Sequence, residues 1–477
     1  MRRLLISFLV LCGSAAAQPA AVVGDWSGTV EGMGLTTVFH ITETDGVLST
    51  TLDVPAQGAM GVSTGETTFD GTTLTITVPA VNAVYRGTLE GDVITGELVQ
   101  GQPTTLNLRR VSDGETAGAD IAGESARGET EAAVATAPLA LDEPEAPFPY
   151  EAEEVRVPSV EGVTIAGTLT IPHGAGPFPG VVLVSGSGAQ ARDSDVAGNK
   201  LFYVLSDHLA RRGIAVLRYD DRGTAASTGD YDAATTADLA LDAQAVAEHL
   251  ATRSEVESVG IVGHSEGGAI GPIVAVASEA VDFLVLLAGP AIPGREVIRY
   301  QLSRDVVESG LAPEALGAYD RGIASMLDAL ASGAAETAAD RAAAAYAAEV
   351  DGVDMSALQA LGVTNERVGA LANGLSDPWM RYYLGYDPAP ALREVSVPVL
   401  ALFAARDQQV RARGNVEAAV DALAGAPEGT EVVVLPNLNH LFQPTQTGAV
   451  TEYSTIRQSY APAVMDRVAD WVLDLQP

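Results

Sequence analysis

Cysteine is nearly absent from this sequence: 477 residues contain one, Cys12. It falls within MRRLLISFLVLCGSAAAQPA, where Arg2 and Arg3 precede an apolar stretch ending in Ala15-Ala16-Ala17, the layout of a secretory signal with a small-residue cleavage site. Residues 1–17 are therefore expected to be removed, and the mature chain to begin near Gln18 without a thiol. On that reading disulfides, thiolate catalysis and cysteine-ligated metals are excluded. Leu11 is too large for the residue before a lipid-modified cysteine, which argues against a lipid anchor.

Long hydrophobic runs are also lacking. The N-terminal stretch has about ten apolar residues, short of the roughly 20 that span a bilayer, so the expectation is export to the periplasm or beyond, with no integral membrane segment after cleavage. Basic residues are scarce, 27 Lys and Arg against 62 Asp and Glu, for a formal charge of −35; removing Arg2 and Arg3 takes −35 to −37. Such a chain is repelled by nucleic acid and by anionic membrane surfaces. The charge suits a salty exterior or plain solubility equally well. Long tandem repeats, the mark of a propeller, are missing too.

What is present suffices for real cores, since 47% of the residues are hydrophobic. At about 150 residues per domain the length suggests two or three units. Residues 22–110 show short alternating runs such as TTVFHITE, TTLTITV and VITGELV, with Asp45-Gly46, Asp70-Gly71 and Gly91-Asp92 between them at hairpin spacing. They predict a small antiparallel β domain, a sheet or barrel. Residues 111–149 are rich in Gly, Glu, Ala, Thr and Pro, carry many acids against Arg127 alone, and read as an acidic disordered linker. From about 150 the rhythm becomes β and α in alternation, with apolar runs at VTIAGTLTI, GVVLVSG, IAVLRYD, VGIVGH, DFLVLLAG, PVLALFAAR and TEVVVLP. This predicts a mainly parallel sheet covered on both faces. Between LLAGPA and VPVLALF lie about a hundred residues of helical composition, a cap over about 291–390 that would exclude water from the strand ends.

Two stretches match G-x-S-x-G. Ser63, in Gly61-Val62-Ser63-Thr64-Gly65, is surrounded by strand material with no helix to form an elbow and is rejected as a nucleophile. Ser265, in IVGHSEGGAI, follows the strand SVGIVG directly and precedes a small-residue helix, the sharp turn that lifts a serine oxygen above a sheet. A serine hydroxyl needs a base, and the base needs a carboxylate to fix its tautomer. In this strand–turn–helix architecture the chain order is serine, acid, histidine. Of the six histidines only His440 follows Ser265, directly after the last predicted strand, and Asp407 sits in the loop after the penultimate one. Glu266 is a weaker rival acid because its side chain would point into the following helix. Two backbone amides are expected to hold the oxyanion: that of Glu266 and one from the loop Ser185-Gly186-Ser187-Gly188, with Ser187 chosen and Gly188 the alternative.

Residues 150–477 resemble bacterial α/β-hydrolases of the serine-esterase kind, relatives of the prolyl-oligopeptidase-like hydrolases. The resemblance rests on SGSGAQARD (185–193), RYDDRG (218–223), GHSEGG (263–268), YDPAPALREVSVPVLALFAARDQQV (386–410) and NLNHLFQ (437–443). It implies an α/β-hydrolase fold and carboxylesterase activity on small acyl esters, carried by Ser265, Asp407 and His440 with no metal or cofactor. Two departures stand out: Ala225-Ala226, where related proteins usually carry a glycine and a basic residue, and Ala405, where glycine is commoner. The N-terminal β region also looks like a domain often found ahead of such hydrolases.

The expectation is thus an exported serine hydrolase acting on a small-molecule ester through an acyl-serine intermediate. Trp379, Tyr382, Tyr383 and Tyr386 either line an acyl pocket or glue the cap to the core. The alternatives are a peptidase on the same triad, or a binding protein whose N-terminal β domain captures a small apolar ligand.

Overall fold

A computed structural model describes residues 21–30, 35–44, 47–54, 59–78, 83–100, 102–111, 143–307, 312–332, 334–360 and 363–475. The expected signal at 1–17 and the stretch 112–142 of the expected linker lie outside the described residues. The chain divides into two compact units, Met1–Glu129 and Thr130–Pro477.

In the first unit every strand pairing is antiparallel, and the opening strand, Gly24–Val30, pairs with both Leu35–Thr44 and the closing strand, Leu108–Arg110. Alternation does the sorting. In Thr73–Val78 the inward side chains Leu74, Ile76 and Val78 are buried, and their neighbours are partly exposed. Trp26, Phe39 and Tyr85 fill the centre, and the Trp26 indole donates to the Val22 carbonyl at 2.8 Å. The sheet curls toward closure, since Thr67 Oγ1 bonds Thr50 Oγ1 at 2.9 Å across strands far apart in sheet order. Ser63 ends the strand Ala59–Ser63, and the strand Thr67–Phe69 follows with no helix between them.

The second unit is built on an eight-stranded sheet. Its strands, labelled within this unit, are β1 (Tyr150–Pro158), β2 (Thr164–Pro172), β3 (Phe178–Val184), β4 (Ala215–Tyr219), β5 (Val256–His264), β6 (Phe283–Leu287), β7 (Val399–Ala404) and β8 (Glu431–Leu435). They lie in the order β1-β2-β4-β3-β5-β6-β7-β8, and all pairings from β4 onward are parallel. Strand β1 escaped the sequence reading. Its exposed acids Glu151, Glu153 and Glu154 continue the composition of the preceding segment, and only Val155 and Val157 turn inward. Residues 143–149 are tied to this unit: Glu143 pairs with Lys200 at 3.0 Å, and Arg211 donates to the carbonyls of Glu145 and Pro147.

Helices α1 (Leu201–Arg211), α2 (Thr236–Ala251) and α3 (Glu266–Ala277) follow β3, β4 and β5. Between β6 and β7 come α4 (Gly294–Val307), α5 (Pro313–Ala331), α6 (Ala338–Val350), α7 (Ser356–Ala360), α8 (Asn365–Gly374), α9 (Pro378–Gly385) and α10 (Ala389–Glu394), and the chain ends with α11 (Ala412–Ala422) and α12 (Pro462–Asp474). The central strands are apolar throughout because both faces are covered. Val182, Leu284, Leu286 and Phe403 face α2, α3 and α11, whereas Val181, Leu183, Val285 and Leu402 face α1 and α12. The run α4–α9, expected from the sequence as a cap, has its own core around Ile323, Met326, Leu330, Tyr346 and Leu384. Gly322 lets α5 approach α6, since a β-carbon there would lie 2.7 Å from the Tyr346 ring. Among the described residues no helix is long and apolar enough to cross a membrane.

Candidate active site

Ser265 stands between the end of β5 and the start of α3 with φ 54° and ψ −117°. A non-glycine residue there stores roughly 1–3 kcal/mol of strain and persists only when its surroundings impose it. They do so through the Ser265 amide, bonded to the Leu287 carbonyl on β6, and the Gly268 amide, bonded to the Ser265 carbonyl, each at 2.9 Å. The flanking glycines are required by backbone approach. A β-carbon on Gly263 would sit 2.1 Å from the Gly267 oxygen, and one on Gly267 would sit 2.2 Å from the Val184 oxygen.

Asp407 and His440 come together at the same end of the sheet, after β7 and β8. His440 Nδ1 lies 2.7 Å from Asp407 Oδ2, and both side chains are buried. The second oxygen, Oδ1, accepts from the amides of Gln409 at 2.7 Å and Val410 at 2.9 Å, so Asp407 shapes its own turn as well as holding the imidazole. His264, the neighbour of Ser265, reaches the histidine loop. Its Nε2 donates to the His440 carbonyl at 2.9 Å, and the two rings pack with centroids 4.8 Å apart. Burial, then the nearby His440, pushes the His264 pKa down to about 3, which keeps this ring neutral. Among the described residues no hydrogen bond joins the Ser265 hydroxyl to the His440 ring; in unliganded enzymes such bonds often run long and tighten on substrate binding.

The loop after β3 folds beside this turn. Gly186 packs against Ser265, with its β-carbon position 3.1 Å from Ser265 Cβ. The Gly188 amide donates to the Tyr231 hydroxyl at 3.0 Å, so it is already engaged. Asp221 anchors the loop. It accepts the Gln190 amide at 2.8 Å, and its oxygens lie 3.1 and 3.2 Å from Ser185 Oγ. Burial raises its pKa to about 8 against those hydrogen bonds, helped by the charges of Glu266 and Asp242.

The Glu266 side chain does not point into the following helix, as the sequence suggested, but reaches α2 and α9. Its buried side chain accepts from Thr236 Oγ1 and from Trp379 Nε1, each at 2.6 Å, and burial raises its pKa. Trp379 stacks on Tyr383 at 5.3 Å, and Tyr383 lies within the cap core. Tyr382 is 37% exposed and stacks on Tyr386 at 6.1 Å.

Three contributors escaped the sequence reading. The Glu266 carboxyl and His264 are two. The third is Asn439, whose Oδ1 accepts the amides of Leu441 and Gln443, each at 3.0 Å, building the turn that carries His440. Asparagine is a turn builder by this chemistry, a signal already present in NLNHLFQ. Of the two departures, Ala225 adopts φ +46°, a conformation that suits glycine. Ala405 has no such need: its φ is not positive, and its amide bonds the Leu435 carbonyl at 2.9 Å. Among the described residues no group of three or more His, Cys, Asp or Glu side chains is placed to hold a metal ion.

Strand order 1-2-4-3-5-6-7-8, a serine on a strained turn after the fifth strand and an Asp–His pair after the seventh and eighth define an α/β hydrolase. The chain belongs to the alpha/beta hydrolase family, whose model matches residues 181–452. It is 29% identical over 310 residues to Esterase EstD of Thermotoga maritima, an alignment covering 65% of this chain and 65% of that protein's length. Among solved structures it is similar to the Pyrococcus furiosus esterase Pf2001, with a TM-score of 0.43 and 12% identity over 70% of this chain and 97% of the other. It is also similar to the proline iminopeptidase of Mycobacterium smegmatis, with a TM-score of 0.39 and 17% identity over 68% of this chain and 98% of the other.

Proposed function

We propose that this protein is an exported serine esterase that cleaves small carboxylic esters through an acyl-enzyme. The observation that carries the reading is the buried hydrogen bond between Asp407 and His440, at the end of the sheet where Ser265 stands on its strained turn. With Asp407 on Nδ1, the basic nitrogen of the ring is Nε2. Ser265 Oγ attacks the ester carbonyl carbon and gives its proton to Nε2, and the amides of Glu266 and Ser187 stabilise the oxyanion. The carbonyl re-forms as the alcohol leaves with the proton from His440, and water then repeats the sequence on the acyl-serine. Esterase chemistry also accords with the name of the Thermotoga relative. Export rests on the N-terminal sequence pattern.

The test is release of p-nitrophenol from esters of graded acyl length by the mature protein and by Ser265→Ala, with peptide substrates alongside. Activity on short esters that falls by several orders of magnitude in Ser265→Ala supports the reading. Undiminished activity in the variant, or cleavage of peptides in preference to esters, overturns it.

A further inference from the structure

The chemistry above uses only the backbone amide of Glu266, yet its side chain is buried and tied to three other parts of the fold. Thr236, the donor to Oε1, is the first residue of α2, and Trp379, the second donor to that oxygen, sits in the first turn of α9, the last cap helix before the chain returns to the sheet. The other oxygen, Oε2, is buried without a hydrogen bond among the described residues, while the Ser187 side chain lies near enough to favour the ionised carboxyl. Burying a carboxyl with one oxygen unpaired is unfavourable, and an apolar residue would fill the space at less cost. Trp379 does not move by itself. Its ring is stacked on Tyr383 in the cap core, and Asp377 caps α9 by accepting the Met380 amide at 2.8 Å, so a displaced indole displaces the helix.

The geometry points to Glu266 as a positioning residue whose carboxyl latches cap helix α9 to the nucleophile turn, so that the seating of the cap sets the two oxyanion amides, those of Glu266 and Ser187. The kinetic consequence rests on the esterase reading; the latch itself does not. An acyl group that lifts α9 breaks the Trp379 contact and loosens the donors, and the penalty falls on kcat more than on KM.

Trp379→Phe keeps the ring stack and removes the donor. Glu266→Gln keeps an oxygen for both donors, and Glu266→Ala removes it. On p-nitrophenyl acetate, Trp379→Phe and Glu266→Ala each lower kcat by about tenfold or more, the scale of one buried hydrogen bond, with KM little changed. Glu266→Gln restores kcat to within about threefold of wild type, and the Trp379→Phe/Glu266→Ala double variant is no slower than the slower single one. Single effects that multiply in the double variant overturn the latch. A second readout needs no turnover. Subtracting the Trp379→Phe spectrum isolates Trp379 emission from that of Trp26 and Trp471, and this emission shifts in Glu266→Ala and stays in place in Glu266→Gln. Emission unmoved by Glu266→Ala overturns the latch, whereas silence toward all esters overturns the esterase reading and leaves emission to decide the latch.

Discussion

His440 Nδ1 and Asp407 Oδ2 lie 2.7 Å apart in a buried pair, and two backbone amides hold the remaining Asp407 oxygen. The carboxylate is fixed from both sides, so it dictates which ring nitrogen carries the proton. Asp407→Asn is nearly isosteric but can present an N–H to Nδ1, which favours the tautomer with Nε2 protonated and unable to accept from serine. The expected outcome is a fall in kcat of about 10⁴ with the fold retained. Steady-state kinetics on a short-chain ester, beside circular dichroism of the same sample, checks it. A loss below tenfold would overturn a catalytic role for Asp407.

Gly186 and Gly267 separate crowding that can be absorbed from crowding that cannot. A β-carbon at Gly186 meets Ser265 Cβ at 3.1 Å, so Ser265 must give by a few tenths of an ångström; at Gly267 it meets the backbone oxygen of Val184 at 2.2 Å. Misplacement by 1 Å costs about 10²-fold in rate, so Gly186→Ala is expected to lower kcat by roughly tenfold while thermal stability stays near wild type. Gly267→Ala must force β3 and α3 apart and is expected to lower the melting temperature clearly. Thermal melts and ester kinetics on the pair test the contrast.

Ala225 holds φ +46° in the turn after β4, where an L-residue costs roughly 1–2 kcal/mol. Glycine relieves that strain but adds freedom to the unfolded chain worth roughly 0.5–1 kcal/mol. The balance predicts that Ala225→Gly stabilises the second unit by about 0.5–1 kcal/mol. The check is a rise in its thermal midpoint; a fall would mean that the turn tolerates alanine without strain.

How much of this was legible in the sequence follows from how local each signal is. The strand, the tight turn and the glycines around Ser265 lie within one decapeptide, and chain order singled out Asp407 and His440 without knowledge of any contact. Strand β1 was hidden because it is an edge strand whose only partner is β2, and because Glu151, Glu153 and Glu154 are exposed so that only Val155 and Val157 carry an apolar signal, so composition spoke for the linker. The Glu266–Trp379 contact spans 113 positions, and nothing in either neighbourhood announces it. The engagement of the Gly188 amide likewise depends on Tyr231, 43 positions away. Such contacts are products of the packed cap and loops, not of periodicity.

Asp221 gives the fold a pH dependence whose sign can be worked out. Burial holds its pKa at about 8 in the folded chain, against 3.8 for the model carboxyl. Between those values the folded chain carries a proton there that the unfolded chain has lost, so the folded state binds more protons and stability must fall as pH rises. The contribution is fully present below about pH 4, declines through the window, and is gone above about pH 8. His264, held neutral with a pKa of about 3, acts in the opposite sense below its ordinary range, so a single curve for the wild type mixes the two. Asp221→Asn removes one of them: the amide cannot titrate, its oxygen can still accept the Gln190 amide, and its N–H can face Ser185. The difference in melting temperature between wild type and Asp221→Asn should therefore move steadily against the wild type from pH 4 to pH 8 and level off beyond. A difference that is constant across that window would show that Asp221 is ionised in the folded chain, and that the loop beside Ser265 is anchored by a carboxylate.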